Sequence, residues 1–268
     1  MLVNTVLMFA GKTAIITGAG QGIGFTIARM LAAKGANVVL NDIDPALAEL
    51  AATAILNEGG SCTPYAGDAS DVSFIRRMVT DAVAKYGALH FAVANAGITT
   101  FGDFFEYTPE SMQKLLQLNM GGTFFLTQAA AQEMRKTGGG SILLMSSVVG
   151  VQAHKYLAAY AMTKAAIQML AKNLVLELSP FNIRINSISP GATITERTLA
   201  IEPEYEKTWK KITPLGKPAS TEDIANTALF FLSDQAGHIT GQNLVIDGGW
   251  TSVSPAPGEE HFREVKKN

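Results

Sequence analysis

Short apolar runs alternate along this chain with longer stretches in which apolar residues recur every three or four positions. The first run, residues 13–17, is β-prone; a glycine cluster follows it, and then Ile27, Ala28, Leu31 and Ala32 fall at helical spacing. Gly35 stands where a helix commonly stops, and residues 37–41 form a second apolar run ending in Asp42. The pattern next predicts a helix over 45–57, a strand over 62–66, a helix over 72–86 and a strand over 89–94. It goes on with helices over 109–118 and 121–136, a strand over 141–146, a long helix over 156–178, and strands over 183–188 and 244–247. Near-continuous apolar strands joined by helical crossovers imply a parallel sheet covered on both faces, so a doubly wound, seven-stranded α/β fold is expected. One interruption, residues 193–217, mixes Glu196, Glu202, Glu204, Glu206, Lys207, Lys210 and Lys211 with Leu199 and Trp209, and reads as an inserted helical flap. With a core over about 10–250, residues 251–268 read as an irregular C-terminal arm.

Composition narrows the partners. A length of 268 residues is compatible with a single α/β domain, and 47% hydrophobic against 16% charged residues leaves apolar surface for a subunit interface. A formal charge of -2 supplies no basic field for nucleic acid, so a small neutral or weakly charged substrate is expected. Cys62 is the one cysteine, which suits a reducing cytoplasm; neither it nor His90, His238 and His261 has metal-ligand spacing, so no metal site is expected. Residues 1–10 are apolar but lack the positively charged start of a signal peptide, and no run of about 18 apolar residues could cross a bilayer.

The glycine cluster carries chemistry. Thr17-Gly-Ala-Gly-Gln-Gly-Ile-Gly24 follows a strand and opens a helix, where bare backbone N–H groups can meet a pyrophosphate. Its glycines at 18, 22 and 24 spell G-x-x-x-G-x-G, because Ile23 occupies the place where the commoner G-x-G-x-x-G needs glycine. Asp42 lies 18 positions past Gly24, where its carboxylate can accept from both hydroxyls of an adenosine ribose and would repel a 2′-phosphate. With Gln21 in the turn and Asn41 beside Asp42, nothing basic invites NADP, and NAD is the expected cofactor. Asp42 could instead serve with Asp44 to cap the next helix.

With these motifs the sequence resembles the short-chain dehydrogenase/reductase family over roughly residues 10–250. The turn at 17–24 looks like that family's T-G-x-x-x-G-x-G, Asn95-Ala96-Gly97 like its N-A-G, Tyr160-Ala-Met-Thr-Lys164 like its Y-x-x-x-K, and Pro190-Gly191 like its P-G. Ser147 precedes Tyr160 by 13 residues, the spacing of the family's catalytic serine. Ala94 departs from the commoner N-N-A-G. The resemblance implies a single Rossmann domain in which Gly18, Gln21, Gly22, Ile23, Gly24 and Asp42 hold the cofactor. It places Asp68 and Ala69 at the adenine, Asn95, Ala96 and Gly97 at the adjoining ribose, and Ile188, Pro190, Gly191, Ala192 and Thr193 at the nicotinamide. Ser147, Tyr160, Lys164 and Asn119 are implied as catalytic, Asn119 by ordering a water beside Lys164. A homotetramer is implied as well.

The chemistry of the residue types agrees. A free tyrosine, with a pKa of about 10, is a poor base at neutral pH, but an ammonium four residues on shares its helix face and favours phenolate. A serine at a strand end can donate to a substrate oxygen. The expected reaction is hydride transfer at a secondary alcohol or carbonyl. In the substrate stretches Val148, Val149 and Val151 suggest an apolar wall, while Thr99, Thr100, Gln152, His154, Lys155, Glu196 and Arg197 could address hydroxyls or a carboxylate; with Gly248-Gly-Trp250-Thr-Ser252 resembling members that handle such compounds, a sugar, polyol or sugar acid is expected. The alternatives are reduction of a 3-oxoacyl thioester, which NADPH normally serves, and a nucleotide-binding regulator without turnover.

Overall fold

Successive side chains along the strands are buried on opposite faces of the sheet, and this sorts the core into two layers. Ala14 and Ile16 of β1 (Thr13–Ile16) join one apolar cluster while Ile15 joins the other; Val38 and Leu40 of β2 (Asn37–Asp42) are likewise opposed to Val39. A computed structural model describes residues 7–253 and shows helices on both faces of a seven-stranded sheet. The remaining strands are β3 (Ser61–Ala66), β4 (Phe91–Ala94), β5 (Gly140–Met145), β6 (Ile183–Pro190) and β7 (Asn243–Ile246). All neighbours pair in parallel in the order β3-β2-β1-β4-β5-β6-β7, so the winding reverses between β1 and β4. Pro64, which cannot donate to a ladder, sits on the edge strand β3.

Local chemistry sets the helix ends. α1 (Gly22–Ala33) begins directly in the glycine turn, whereas α2 (Pro45–Asn57) is capped by Asp44, whose carboxylate accepts from the N–H groups of Ala46 and Leu47. α3 (Val72–Tyr86) has Asp71 as its cap and stops at Gly87, where φ is 84°. The flap consists of the short helices α8 (Glu196–Ile201) and α9 (Tyr205–Lys210).

Several expectations shift. The helices expected over 109–118 and 121–136 form one rod: α4 (Pro109–Leu116) passes through a π turn at Gln117–Gly122 into α5 (Thr123–Met134). The long helix starts at Ala158, as α6 (Ala158–Asn173), and is broken at Leu174 before the short α7 (Val175–Leu178). The strand expected from 89 begins at Phe91, and β7 begins one residue before its expected start. α10 (Thr221–Leu232) was not expected, yet Ser220 and Asp223 make a reciprocal cap and Ile224, Ala225, Ala228, Leu229 and Leu232 form its buried stripe against α1. Of the N-terminal lead-in, Phe9 is buried and meets Phe91 edge-on at 5.4 Å; residues 1–6, and the expected arm from 254 on, lie outside the described residues. Among the described residues no helix is long and apolar enough to cross a membrane.

Candidate active site

Where β1 and β4 send their chains to opposite faces, the sheet opens into a crevice at its C-terminal edge. A cleft of about 780 Å³ lies there. Gly18, Gln21, Gly22, Ile23, Gly24, Asp42, Asp68, Ala69, Asn95, Ala96, Gly97, Ser147, Tyr160, Lys164, Pro190, Gly191 and Thr193 all line it, so residues scattered over 176 positions meet in one place. Asn119 and Ile188 are fully buried and do not line it.

The glycine turn is built for close approach. Gly18 holds a φ of 60°, and a Cβ there would stand 2.8 Å from the Ala96 Cα; one on Gly24 would stand 2.5 Å from the Gly18 carbonyl. A Cβ on Gly22, by contrast, would meet only the flap at ordinary contact distance, Thr195 Cγ2 at 3.6 Å and Glu196 Oε2 at 3.7 Å, and the first turn of α1 itself has no side-chain cap and no acidic residue. That bare, partially positive helix end fits a pyrophosphate. The Asn95 amide is spent on structure: it donates to the carbonyls of Thr17 at 2.9 Å and Gly18 at 2.8 Å, tying the end of β4 to the glycine turn. Asp42 also supports the turn, since its Oδ2 accepts from Gly20 N–H at 2.9 Å and its Oδ1 from Asp44 N–H at 3.1 Å. Each oxygen keeps a lone pair for a further donor in the cleft. Capping of α2 falls to Asp44.

Across the cleft, α6 carries Tyr160 and Lys164 one turn apart. Lys164 is only 3% exposed, and its Nζ donates to the Met145 carbonyl at 2.7 Å and lies 5.5 Å from the Tyr160 ring centroid. Ser146 fixes that helix from behind, its hydroxyl donating to the Lys164 carbonyl at 2.8 Å, while Gln168 donates to the same hydroxyl at 3.0 Å. Ser147, two residues past the end of β5, lines the same cleft as Tyr160. Asn119 sits within the π turn. Its amide donates to the Ile98 carbonyl at 2.9 Å and to the Thr163 hydroxyl at 3.2 Å, and its Oδ1 accepts from Ile98 N–H at 2.9 Å. Both amide hydrogens are therefore used on protein groups that join the loop after β4 to α6.

The flap contributes residues that the sequence reading passed over. Thr195, Thr198 and Tyr205 line the cleft, with Thr195 and Thr198 capping α8 reciprocally. The spacing Thr195-x-x-Thr198 ahead of Leu199 was the signal available. Burial pushes the Tyr205 phenol up to about 12, against an opposing backbone hydrogen bond from Thr193. Trp209 packs edge-on against Trp250 at 4.9 Å, and His154 meets Trp250 at 6.4 Å. His154 is exposed, and the Gln152 Oε1 is buried without a donor.

This arrangement, a bare helix end and a carboxylate on one side and a phenol with a buried ammonium on the other, defines a dinucleotide-using oxidoreductase site. A family model described as enoyl-(acyl carrier protein) reductase matches residues 18–251. The chain is 36% identical to a 2,5-dichloro-2,5-cyclohexadiene-1,4-diol dehydrogenase of Sphingobium indicum over 90% of its own length and 97% of the relative's. It is 37% identical to an L-rhamnose-1-dehydrogenase of Scheffersomyces stipitis, covering 89% of this chain and 95% of that one. Among solved structures it is similar to a 7α-hydroxysteroid dehydrogenase complexed with NADH and 7-oxo glycochenodeoxycholic acid, with a TM-score of 0.87, 35% identity and coverage of 93% and 98%. The chain belongs to the short-chain dehydrogenase/reductase family and is an oxidoreductase of alcohols and carbonyls that uses a nicotinamide cofactor.

Proposed function

We propose that this protein is an NAD-dependent dehydrogenase of secondary alcohols, with Tyr160 as its general acid and base. The observation that carries the reading is the buried Lys164 ammonium 5.5 Å from the Tyr160 ring, in the same cleft as the glycine turn and Asp42. The Gly18–Gly24 turn would hold the pyrophosphate of NAD, which when bound would accept the hydride from the carbinol carbon. Tyr160 takes the hydroxyl proton as the carbonyl forms and returns it in the reverse direction. Lys164, one helical turn on, holds its Nζ on the Met145 carbonyl and 5.5 Å from the Tyr160 ring. Ser147 donates to the substrate oxygen and holds it in line.

Asn119 is a positioning residue in this scheme, setting the Asn95–Ile98 loop against α6. Asp42, which lines the cleft, would face the ribose hydroxyls and disfavour a 2′-phosphate, which supports NAD over NADP. The same preference argues against reduction of a 3-oxoacyl thioester. A purely regulatory role gives no reason for Ser147, Tyr160 and Lys164 to share a cleft.

We further infer a cytoplasmic homotetramer: the lone Cys62 is buried and unpaired, as suits a reducing compartment, and α6 turns the apolar side chains of Met162 and Met169 outward. The test of the reaction is NADH formation across alcohols of several classes. Tyr160→Phe should lose about 10²- to 10⁴-fold in kcat while still binding NADH by calorimetry. Full activity in that variant would remove Tyr160 from the chemistry.

A further inference from the structure

Parallel strands covered by helices on both faces are ordinarily apolar throughout, and β6 departs from this near its C-terminal end. Ile183 and Ile185 share one apolar cluster with Ile167 and Ala171 of α6, yet Ser187 and Ser189, next on the same face, are just as buried. A buried hydroxyl is kept where it is hydrogen-bonded. Both donate to the Asn243 Oδ1 of β7, Ser187 at 2.9 Å and Ser189 at 2.8 Å. Ser146, 3% exposed, gives its hydrogen to the Lys164 carbonyl. A hydroxyl has one hydrogen, so Ser146 and Ser189 have only lone pairs left for the side chain between them. That side chain is Gln168. Its Nε2 donates to the Ser146 hydroxyl at 3.0 Å and to the Ser189 hydroxyl at 3.3 Å, and stands 3.5 Å from the Ser147 carbonyl, which can only accept. Every donor thus points away from Gln168, to the Lys164 carbonyl along one branch and to Asn243 along the other.

The chain leaving β5 is tied to α6 at three consecutive residues: Met145 by the Lys164 Nζ, Ser146 by the Lys164 carbonyl and Gln168, and Ser147 by Gln168. The Ser147 carbonyl also accepts from Gly150 N–H at 3.0 Å, closing a tight turn over Val148–Gly150. That turn lies directly on α6. A Cβ on Gly150 would stand 2.5 Å from the Gln168 Nε2 and 2.9 Å from the Ala165 nitrogen.

We propose that Gln168 is a positioning residue for Ser147: its amide heads both branches, and by donating to them it sets where the Ser147 turn sits on α6, the helix that carries Tyr160 and Lys164. This deepens the hydride-transfer reading above and rests on it. Two substitutions separate donation from bulk, because methionine has a similar length and no donor, and ionised glutamate has the same shape and only acceptors.

With NAD and the alcohol turned over fastest, kcat is measured in mildly alkaline buffer for Gln168→Met, Gln168→Glu, Ser147→Ala and the double variant Ser147→Ala, Gln168→Met. Both Gln168 variants should lose about 10- to 100-fold in kcat, as misplaced reacting groups do, while NADH affinity by calorimetry holds. In the Ser147→Ala background the Gln168→Met loss should shrink to less than about threefold, since a residue that acts through Ser147 has nothing left to position. Should Gln168→Met fail to fold, Ser189→Ala, which removes one branch and little volume, enters the same cycle with an expected loss of about fivefold. Hydrogen exchange, which needs no turnover, should quicken over residues 146–152 in each variant and stay at the parent's rate over residues 13–24. Equal losses with and without the Ser147 hydroxyl would make Gln168 merely structural and overturn the proposal. So would full activity in Gln168→Glu, because shape alone would then suffice. If the parent turns over no alcohol, the hydride-transfer reading falls by itself, and exchange decides the positioning: a rise confined to 146–152 keeps it, and an unchanged rate there overturns it.

Discussion

At the scale of single residues, Asp42 holds two jobs that a substitution should separate. Its carboxylate braces Gly20 and Asp44 from within, and its remaining lone pairs face the cleft. Asp42→Ala removes a charged acceptor whose hydrogen bonds contribute about 1.5–3 kcal/mol each, so KM for NAD should rise about 10- to 100-fold and the preference over NADP should narrow. A variant that loses affinity for both cofactors equally would show that only the bracing of the turn matters. Gly24 makes the companion case. A methyl group there meets the Asn95 amide nitrogen and the Gly18 carbonyl, both at 2.5 Å, and the second is backbone that cannot swing away. Gly24→Ala should therefore lower the melting temperature as well as weaken cofactor binding, whereas Gly22→Ala, strained at φ 62° but with free space, should harm binding more than folding. Thermal melts and calorimetry on both variants distinguish the two effects.

Among the elements, α10 shows what the sequence concealed. Its stripe from Ile224 to Leu232 and its cap at Ser220 obey ordinary helix rules, but the charged flap just before it broke the strand–helix rhythm on which the reading relied. The strands and the glycine turn were legible because apolar runs and glycine spacing are local signals. The π turn was not, since what holds Asn119 inside it are Ile98 and Thr163, 21 and 44 residues away. The same distance rule separates the legible catalytic spacings from the contribution of Tyr205, which reaches the cleft only by folding of the flap.

The α10 cap also carries a pH dependence. A backbone hydrogen bond from Ser220 is the chief cause holding the Asp223 carboxyl below its usual value; burial opposes it, and the Ser220 hydroxyl and Lys217 add to the lowering. Because the folded value is depressed, the stabilisation is complete above the ordinary carboxylate range near 4 and disappears as pH falls through the folded value. Asp223→Ala should cost about 1 kcal/mol at pH 7, about 2–4 °C in melting temperature, and the gap from the parent should close in acid. A gap that stayed constant down to the lowest pH at which the fold survives would rule out the carboxylate as its source.

For the whole molecule, the outward face of α6 is the feature that a monomer does not explain. Ala158, Met162, Ala165 and Met169 recur at spacings of four, three and four, which places them on one side of the helix, and all four are exposed. Met162 is 59% and Met169 56% exposed, and on the neighbouring rod Met120 and Phe124, one turn apart, are 38% and 42% exposed. A solvent-facing helix stripe is ordinarily the polar one; here the buried side of α6 carries Thr163 and Lys164, and the water-facing side carries methionine and alanine. Small and flexible apolar side chains let two helices approach closely, so a second copy laid across α5 and α6 would bury this stripe in a self-complementary contact. Such an interface would stiffen α6 and, through it, the spacing of Tyr160 from Lys164. Met162→Asp with Phe124→Asp should place unpaired charges in that contact at a cost of several kcal/mol and divide the assembly into smaller units by sedimentation. If the tetramer is built on this face, kcat should fall with the loss of mass while cofactor binding at the glycine turn, on the other side of the cleft, changes little. An unchanged mass in the doubly charged variant would exclude α5 and α6 as the subunit contact.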